Sequence, residues 1–169
     1  MSSAENESEL CVEFKEALER QPAVIVDMDG TLCDVSTVVH LQAEMDGFNA
    51  FHEACAQCPP NPAVVDWCLD HHSRGHAILV VTGRDEWTRG LTAQWLSQHL
   101  PVTTAGLFMR SDGDFRSNAE IKREIHACLA PIYDIRAAID DDPDIIELWQ
   151  GFGIPVALVL DEGAGLLLE

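Results

Sequence analysis

The sequence predicts an α/β protein in which a parallel sheet carries helices on both faces. Two observations carry that expectation. Short apolar runs recur at residues 22–26, 77–81, 107–109, 135–139 and 156–160, each of a length that suits a buried strand. Stretches with helical character separate the later runs, at residues 62–73, 86–99, 118–129 and 144–150. Strands alternating with helices of this length pair in parallel, because each helix is the crossover that returns the chain to the same end of the sheet.

In chain order, residues 1–8 are polar and acidic and read as a frayed tail, ahead of a single domain over residues 9–169. Cys11, Val12, Phe14 and Leu18 lie at helical spacing and predict a short leading helix that reaches Arg20. The first strand follows and closes on Asp27 and Asp29. Residues 34–60 read loosely, as a small insertion with one amphipathic segment over residues 47–56. Gly75 ends the helix of residues 62–73, as a glycine beyond a helix end commonly does. Ser117 or Asn118 caps the next-but-one helix, and Asp142 with Pro143 opens the one after the fourth strand.

The 169 residues, 47% hydrophobic and 23% charged, suit one globular domain able to bury a core without disulfides. No apolar run reaches the roughly 18 residues of a membrane span. The first residues lack the basic start and apolar centre of a secretory signal, so the six cysteines read as reduced thiols. A soluble, cytoplasmic protein with no membrane partner is expected. With 29 acidic against 10 basic residues, the formal net charge is −19. Such a surface repels polyanions and disfavours extended nucleic-acid binding, while leaving room for a local pocket for one phosphate.

Ligands of an open parallel sheet bind at the carboxyl ends of its strands. Here those ends carry Asp27 and Asp29, then Thr82-Gly83-Arg84, then Asp140, Asp141 and Asp142, with Lys122 in a helix between them. Carboxylates crowded on one rim repel unless a cation sits among them, and hard oxygen ligands with an incomplete shell suit Mg2+. A carboxylate can also be the nucleophile of a two-step phosphoryl transfer, with a metal and a lysine offsetting charge. Each group also has a plainer explanation. Asp-Gly is a common turn pair, acids gather at helix N-termini, and Lys122 could lie on a solvated helix face. Their convergence on one rim favours a site.

These motifs, Asp27-Met28-Asp29-Gly30-Thr31, Thr82-Gly83-Arg84, Lys122 and Asp140-Asp141, in this order, resemble those of the haloacid dehalogenase superfamily of phosphohydrolases over residues 23–160. The resemblance implies a Rossmann-like sheet and a role for each matching residue. Asp27 would attack phosphorus and become an aspartyl phosphate. Asp29 would protonate the leaving group and then activate water. Thr82 would hydrogen-bond the phosphoryl group, and Lys122 would hold it together with Asp27. Mg2+ would sit on Asp27, the backbone carbonyl of Asp29, and Asp140, with Asp141 nearby. An acid at the position of Asp29 marks phosphatases and mutases in that superfamily.

A narrower similarity runs over residues 106–160, to the 3′-phosphatase domain of bacteriophage polynucleotide kinase. It rests on Leu107-Phe108-Met109-Arg110, the loop through Arg116, Lys122, the run Ala138 to Pro143, and Glu147-Leu148-Trp149. It implies a phosphorylated substrate at nucleic-acid 3′-ends or among nucleotides. Gly83 and Arg84 would contact the substrate phosphate, and Arg110 or Arg116 would line the approach. The chain departs from that pattern twice. Residues 34–41 offer only His40 where an arginine is expected, and Asn118 stands where an acid is expected four residues before Lys122. A P-loop pattern is absent, so no kinase half is expected.

Caps in this superfamily are inserted after the first or second motif. The interval from Thr82 to Lys122 is filled by one helix, one strand and their loops, so no full cap domain is expected, and residues 34–60 could form only a small helical lid. An open site admits a strand end more readily than it encloses a small metabolite, an expectation that pulls against the net charge.

Arg84, Arg110 and Arg116 could instead be surface charges. His52, Cys55, Cys58, Cys68, His71 and His72 superficially offer zinc spacing, but Cys68 and His72 fall on a helix, and buried thiols are the commoner explanation. The four tryptophans sit in helical patterns suited to packing, with Trp87 a candidate for base stacking because it follows the second motif. Other functions weigh less. A phosphatase of small metabolites keeps the same chemistry. A phospho-accepting receiver domain would place its acidic pair first and its lysine last, which is not the order here. A catalytically idle scaffold leaves the clustered acids without purpose, and a mutase would need a lid to retain its intermediate.

Overall fold

The computed structural model describes residues 20–43, 47–159 and 166–168. The acidic tail, and all of the expected leading helix except Arg20, lie outside those residues. Five parallel strands, β1 (Gln21–Val26), β2 (Ala77–Asp85), β3 (Gly106–Arg110), β4 (Tyr133–Asp140) and β5 (Val156–Val159), stand in the order β3-β2-β1-β4-β5. A sixth, β6 (Leu166–Leu168), pairs antiparallel with β5. Sequence pattern did not announce β6, since three leucines are too few to show a period.

The helices are α1 (Gly47–Cys55), α2 (Pro62–Ser73), α3 (Arg89–His99), α4 (Asn118–Leu129) and α5 (Pro143–Gly151). The expected helix over residues 86–99 divides into a 3-10 turn, Glu86–Thr88, followed by α3. Among the described residues no helix is long and apolar enough to cross a membrane.

The alternation of side chains along β1 sorts the molecule into two cores. Val24 and Val26 pack on one face with Phe51 of α1, Val64, Trp67 and Cys68 of α2, and Trp95 and Leu96 of α3. Ala23 and Ile25 pack on the other with Leu129 of α4 and Ile145, Leu148 and Trp149 of α5. Each fully buried Val, Ile or Leu contributes about 1.5–3 kcal/mol of transfer free energy. A strand apolar on both sides is therefore stable only between two helical layers.

Local signals set the helix starts. Asn61 accepts from the N–H of Ala63 at 3.2 Å, with Pro62 opening α2. Ser117 and Glu120 form a reciprocal capping box on α4. Asp142 accepts from the N–H of Asp144 at 3.0 Å to cap α5.

β1 lies between β2 and β4, and the chain turns from building one side of the sheet to building the other there. That reversal opens a crevice at the carboxyl ends of β1 and β4, where a doubly wound sheet binds its ligands.

Candidate active site

Asp27 follows β1 directly, and its N–H donates to Ile139 of β4 at 3.1 Å. The chain then folds back tightly, with Leu32 N–H on the Asp27 carbonyl at 3.3 Å and Cys33 N–H on the Met28 carbonyl at 2.7 Å. Met28 is wholly buried, while Asp27 and Asp29 line a cleft of about 380 Å3. Gly30 takes φ +84°, and a Cβ there would stand 2.1 Å from Asp141 Oδ2. Only glycine meets both demands. Thr31 completes the contact by donating from Oγ1 to Asp141 Oδ1 at 2.9 Å. The first motif is thereby fastened to the last.

Lys122 reaches in from α4 and donates from Nζ to Asp27 Oδ1 and to Asp140 Oδ2, each at 2.7 Å. All three side chains are buried. Trp149 Nε1 adds a longer contact to Asp140 Oδ2, at 3.4 Å. Burial pushes the Asp27 carboxyl up to about 7, although the Lys122 ammonium pulls the other way. Burial also raises Asp140 against the pull of Lys122. Asp141 is raised by burial and then by the charge of Asp27. Burial opposes the charge on Lys122, but Asp27 and Asp140 outweigh it, so the ammonium is held above its ordinary value.

Three carboxylate oxygens, one each from Asp27, Asp140 and Asp141, lie within 4.8 Å of one another. One ammonium among three crowded acids leaves a deficit of positive charge, and an oxygen-only donor set of this size fits a hard divalent cation such as Mg2+. The Asp29 carboxylate is turned toward Arg84 instead, which leaves its backbone carbonyl as the group it could offer a metal.

Arg84 grips Asp29 through both oxygens, with Nε 2.8 Å from Oδ2 and Nη2 2.5 Å from Oδ1. Its Nη1 donates to Thr92 Oγ1 of α3 at 3.0 Å, and the residue is 3% exposed. The strand carrying it runs further than the apolar pattern indicated, so that Thr82, Gly83 and Arg84 belong to β2 itself. Thr82 is buried on the cleft wall, and its Oγ1 accepts from the Arg84 N–H at 3.2 Å. A Cβ at Gly83 would stand 2.4 Å from Asn118 Oδ1, so this glycine lets α4 approach β2.

Arg110 and Arg116 do not line the cleft. Arg110 donates to the carbonyls of Gly83, Asp114 and Arg116 and to Asn118 Oδ1, at 3.0, 2.9, 2.5 and 2.5 Å, and so ties the following loop to β2 and α4. Arg116 pairs with Asp114 and Glu124, each at 2.6 Å. Cys55, Cys58 and Cys68 pack in the core beside Val64 and Trp67.

Sequence reasoning missed the contribution of the insertion. Gln42, Phe51 and His52 line the cleft, and burial lowers the His52 imidazole. The amphipathic pattern of residues 47–56 showed that one face would be buried, but not that its edge would meet Asp29. Asn118 also lines the cleft, where sequence reasoning noted it only as a departure.

The comparisons with known proteins agree with this geometry. The family model for the polynucleotide kinase PNKP phosphatase domain matches residues 21–163. A protein of Autographa californica nuclear polyhedrosis virus, assigned provisionally as a bifunctional polynucleotide kinase/RNA ligase, is 25% identical over 127 residues, 73% of this chain and 18% of that protein. Among solved structures, a chain of the Pnkp1/Rnl/Hen1 RNA repair complex aligns with TM-score 0.71 and 23% identity, over 83% of this chain and 42% of that one. The class C acid phosphatase of Bacillus anthracis aligns with TM-score 0.56 and 18% identity, over 82% of this chain and 60% of its own. Likenesses this distant speak for the fold, and the chain spans less than half of the first two relatives. The match to the family model covers most of the chain and both ends of the site, and the chain belongs to the polynucleotide kinase PNKP phosphatase domain family of haloacid dehalogenase-type phosphatases.

Proposed function

We propose that this phosphatase is a Mg2+-dependent phosphomonoesterase that works through an aspartyl phosphate on Asp27 and acts on 3′-phosphates of nucleic-acid ends or nucleotides. The observation that carries the reading is the contrast between two carboxylates two residues apart. Asp27 is buried against Lys122 at 2.7 Å, and Asp29 is held by Arg84 toward the same cleft. The resemblance of the first motif gives Asp27 the nucleophile's role and Asp29 the proton carrier's, and the geometry brings both to one cleft beside Lys122 and Arg84. Asp27, Asp140 and Asp141, with the carbonyl of Asp29, would hold Mg2+, which neutralises charge on the nucleophile and on the phosphoryl oxygens when bound.

Asp27 attacks phosphorus, and a new P–O bond forms as the ester P–O bond breaks. Asp29 passes a proton to the departing oxygen. A water then attacks the phosphoryl group and gives its proton to Asp29, the bond to Asp27 breaks, and inorganic phosphate leaves. Thr82 and Lys122 supply hydrogen bonds to the transferring group. Gly83 lies beside them on the cleft wall as a substrate-contacting position.

The family match supports the substrate class, as do the polynucleotide kinase and RNA repair proteins among the relatives. The formal net charge of −19 favours a second reading, a small phosphorylated metabolite. Phosphate release with Mg2+ from 3′- and 5′-phosphorylated oligonucleotides, nucleoside 3′- and 5′-monophosphates and sugar phosphates separates the two. Preference for 3′-phosphates is expected. Release from sugar phosphates alone would leave the chemistry standing and remove the nucleic-acid substrate.

A further inference from the structure

We propose that Trp87, backed by His52, is a nucleobase-stacking subsite at the mouth of the cleft. It holds the leaving nucleoside by its base rather than by neighbouring phosphates. The inference rests on the nucleotide reading of the function above.

The first observation is where the positive charge goes. The cationic side chains lining the cleft are Lys122, bound to Asp27 and Asp140, and Arg84, bound to Asp29 and Thr92. Arg89 pairs with Glu86, Arg110 is bound to carbonyl and amide oxygens, and Arg116 pairs with Asp114 and Glu124. The arginines around this rim are thus matched internally, on a chain whose formal net charge is −19. Affinity for a strand end cannot come chiefly from backbone phosphates here, because that mode depends on cations displacing counterions.

The second observation is a row of rings. Phe51 and His52 line the cleft with centroids 5.4 Å apart, and Trp87 follows at 6.2 Å from His52. Exposure rises along the row, from 1% at Phe51 and 4% at His52 to 45% at Trp87. Trp87 does not itself line the cleft but touches His52, which does, and an indole exposed to that degree there offers a flat apolar surface to whatever extends from the scissile phosphate past His52.

The third observation is that Trp87 is held in place. Its backbone N–H donates to Asp112 Oδ1 at 2.8 Å, and Thr88 Oγ1 donates to the Asp85 carbonyl at 2.7 Å, closing the turn around it. The turn begins two residues after Arg84, which grips Asp29, so the backbone that carries the indole is fixed relative to the acid/base group. Stacking on an indole needs no charge and accepts any base. It therefore gives affinity that the acidic surface does not cancel, over a footprint of one terminal nucleotide.

The test is steady-state kinetics of Trp87→Ala and Trp87→Phe with a nucleoside 3′-monophosphate and with ribose 3-phosphate, the same ester without a base. Trp87→Ala is expected to raise KM for the nucleotide about tenfold, with kcat within about twofold, while KM for ribose 3-phosphate stays put. Trp87→Phe should recover most of the loss. Wild-type KM should change by less than about threefold between 50 and 200 mM salt, where a binder of many phosphates loses orders of magnitude. Phe152→Ala, which removes another exposed ring at the far end of α5, should leave both substrates unaffected. An equal loss on the base-free ester, or no loss on the nucleotide, would overturn the subsite while leaving the phosphatase reading intact. If wild-type enzyme releases no phosphate from the nucleotide but does so from other esters, the nucleotide reading falls and the subsite falls with it.

Discussion

Arg84 and Asp29 form a two-point pair, Nε to Oδ2 at 2.8 Å and Nη2 to Oδ1 at 2.5 Å, with the guanidinium buried and anchored on Thr92. Sequence reasoning assigned Arg84 to the substrate phosphate. In the structure its Nε and both Nη nitrogens already have partners within the protein. A planar fork fixes both the place and the plane of a carboxylate, and we propose on that ground that Arg84 positions Asp29.

Arg84→Ala should therefore lower kcat by about a hundredfold or more, the usual cost of a misplaced proton carrier, with a smaller change in KM. Arg84→Lys should recover little, because an ammonium cannot hold both oxygens. A rise in KM with kcat preserved would instead return Arg84 to the substrate phosphate.

Asp27→Asn should abolish turnover, because an amide cannot form the covalent intermediate. The variant should keep its fold, read by an unchanged circular dichroism spectrum. Activity near that of the wild type would remove Asp27 as the nucleophile.

In EDTA the Asp27 carboxyl should cost the metal-free protein stability as pH rises. The Asp27 carboxyl is raised from 3.8 to about 7 in the fold, so between those values the folded state keeps a proton that the unfolded chain has released. The contribution is fully present below about pH 3.8 and is lost as pH rises through about 7. Asp140 and Asp141 are raised and act in the same direction, while His52, His71 and His126, lowered by burial from 6.5, act in the opposite one. Lys122 is also raised, from 10.5, so its contribution stays constant across this window. Between about pH 4 and about pH 8 the thermal midpoint of the wild type should therefore lose ground relative to that of Asp27→Asn. A difference between the two that does not change with pH would contradict the raised Asp27 carboxyl.

Chelation should silence the enzyme, and added Mg2+ should restore it. Mg2+ should also raise the thermal midpoint at neutral pH, because a ligand that binds only the folded state stabilises it by mass action. Full activity in excess EDTA would remove the metal role of the Asp27, Asp140 and Asp141 cluster.

Gly30→Ala should cost both stability and activity. A left-handed φ alone costs an alanine about 1–2 kcal/mol, or roughly 2–8 °C in midpoint for a domain of this size. The added Cβ must also displace the Asp141 carboxylate, 2.1 Å away. An unchanged midpoint would mean that the loop relaxes freely, and that Gly30 does not set the position of Asp141.

The parts of the site legible in the sequence were those attached to strand ends. Asp27, Thr82 and Asp140 follow apolar runs, and a parallel sheet gathers such ends on one rim whatever the loops do. Lys122 was legible because it lies near the start of a helix between the strand ends and matches the order of the resembled motifs, and the structure starts that helix at a Ser117 capping box. The arginines were harder, because a long side chain reaches many partners and composition does not say which one it meets. Arg110 turned out to fasten a loop, and Arg116 to pair with its neighbours. His52 and Phe51 left no signal of a place in the cleft beyond amphipathicity, since that place depends on how the insertion packs.

By itself the sequence determined the α/β layering and the order of the strand-end acids. Those follow from local periodicity and from a topology that few alternatives satisfy. Only the tertiary structure decided that Arg84 grips Asp29, that Asp141 fills the space above Gly30, and that Trp87 stands beside His52 at the rim. The physical reason is that these contacts join residues 55, 111 and 35 positions apart in the chain. Side-chain contacts at that separation depend on packing between layers, which no local pattern encodes.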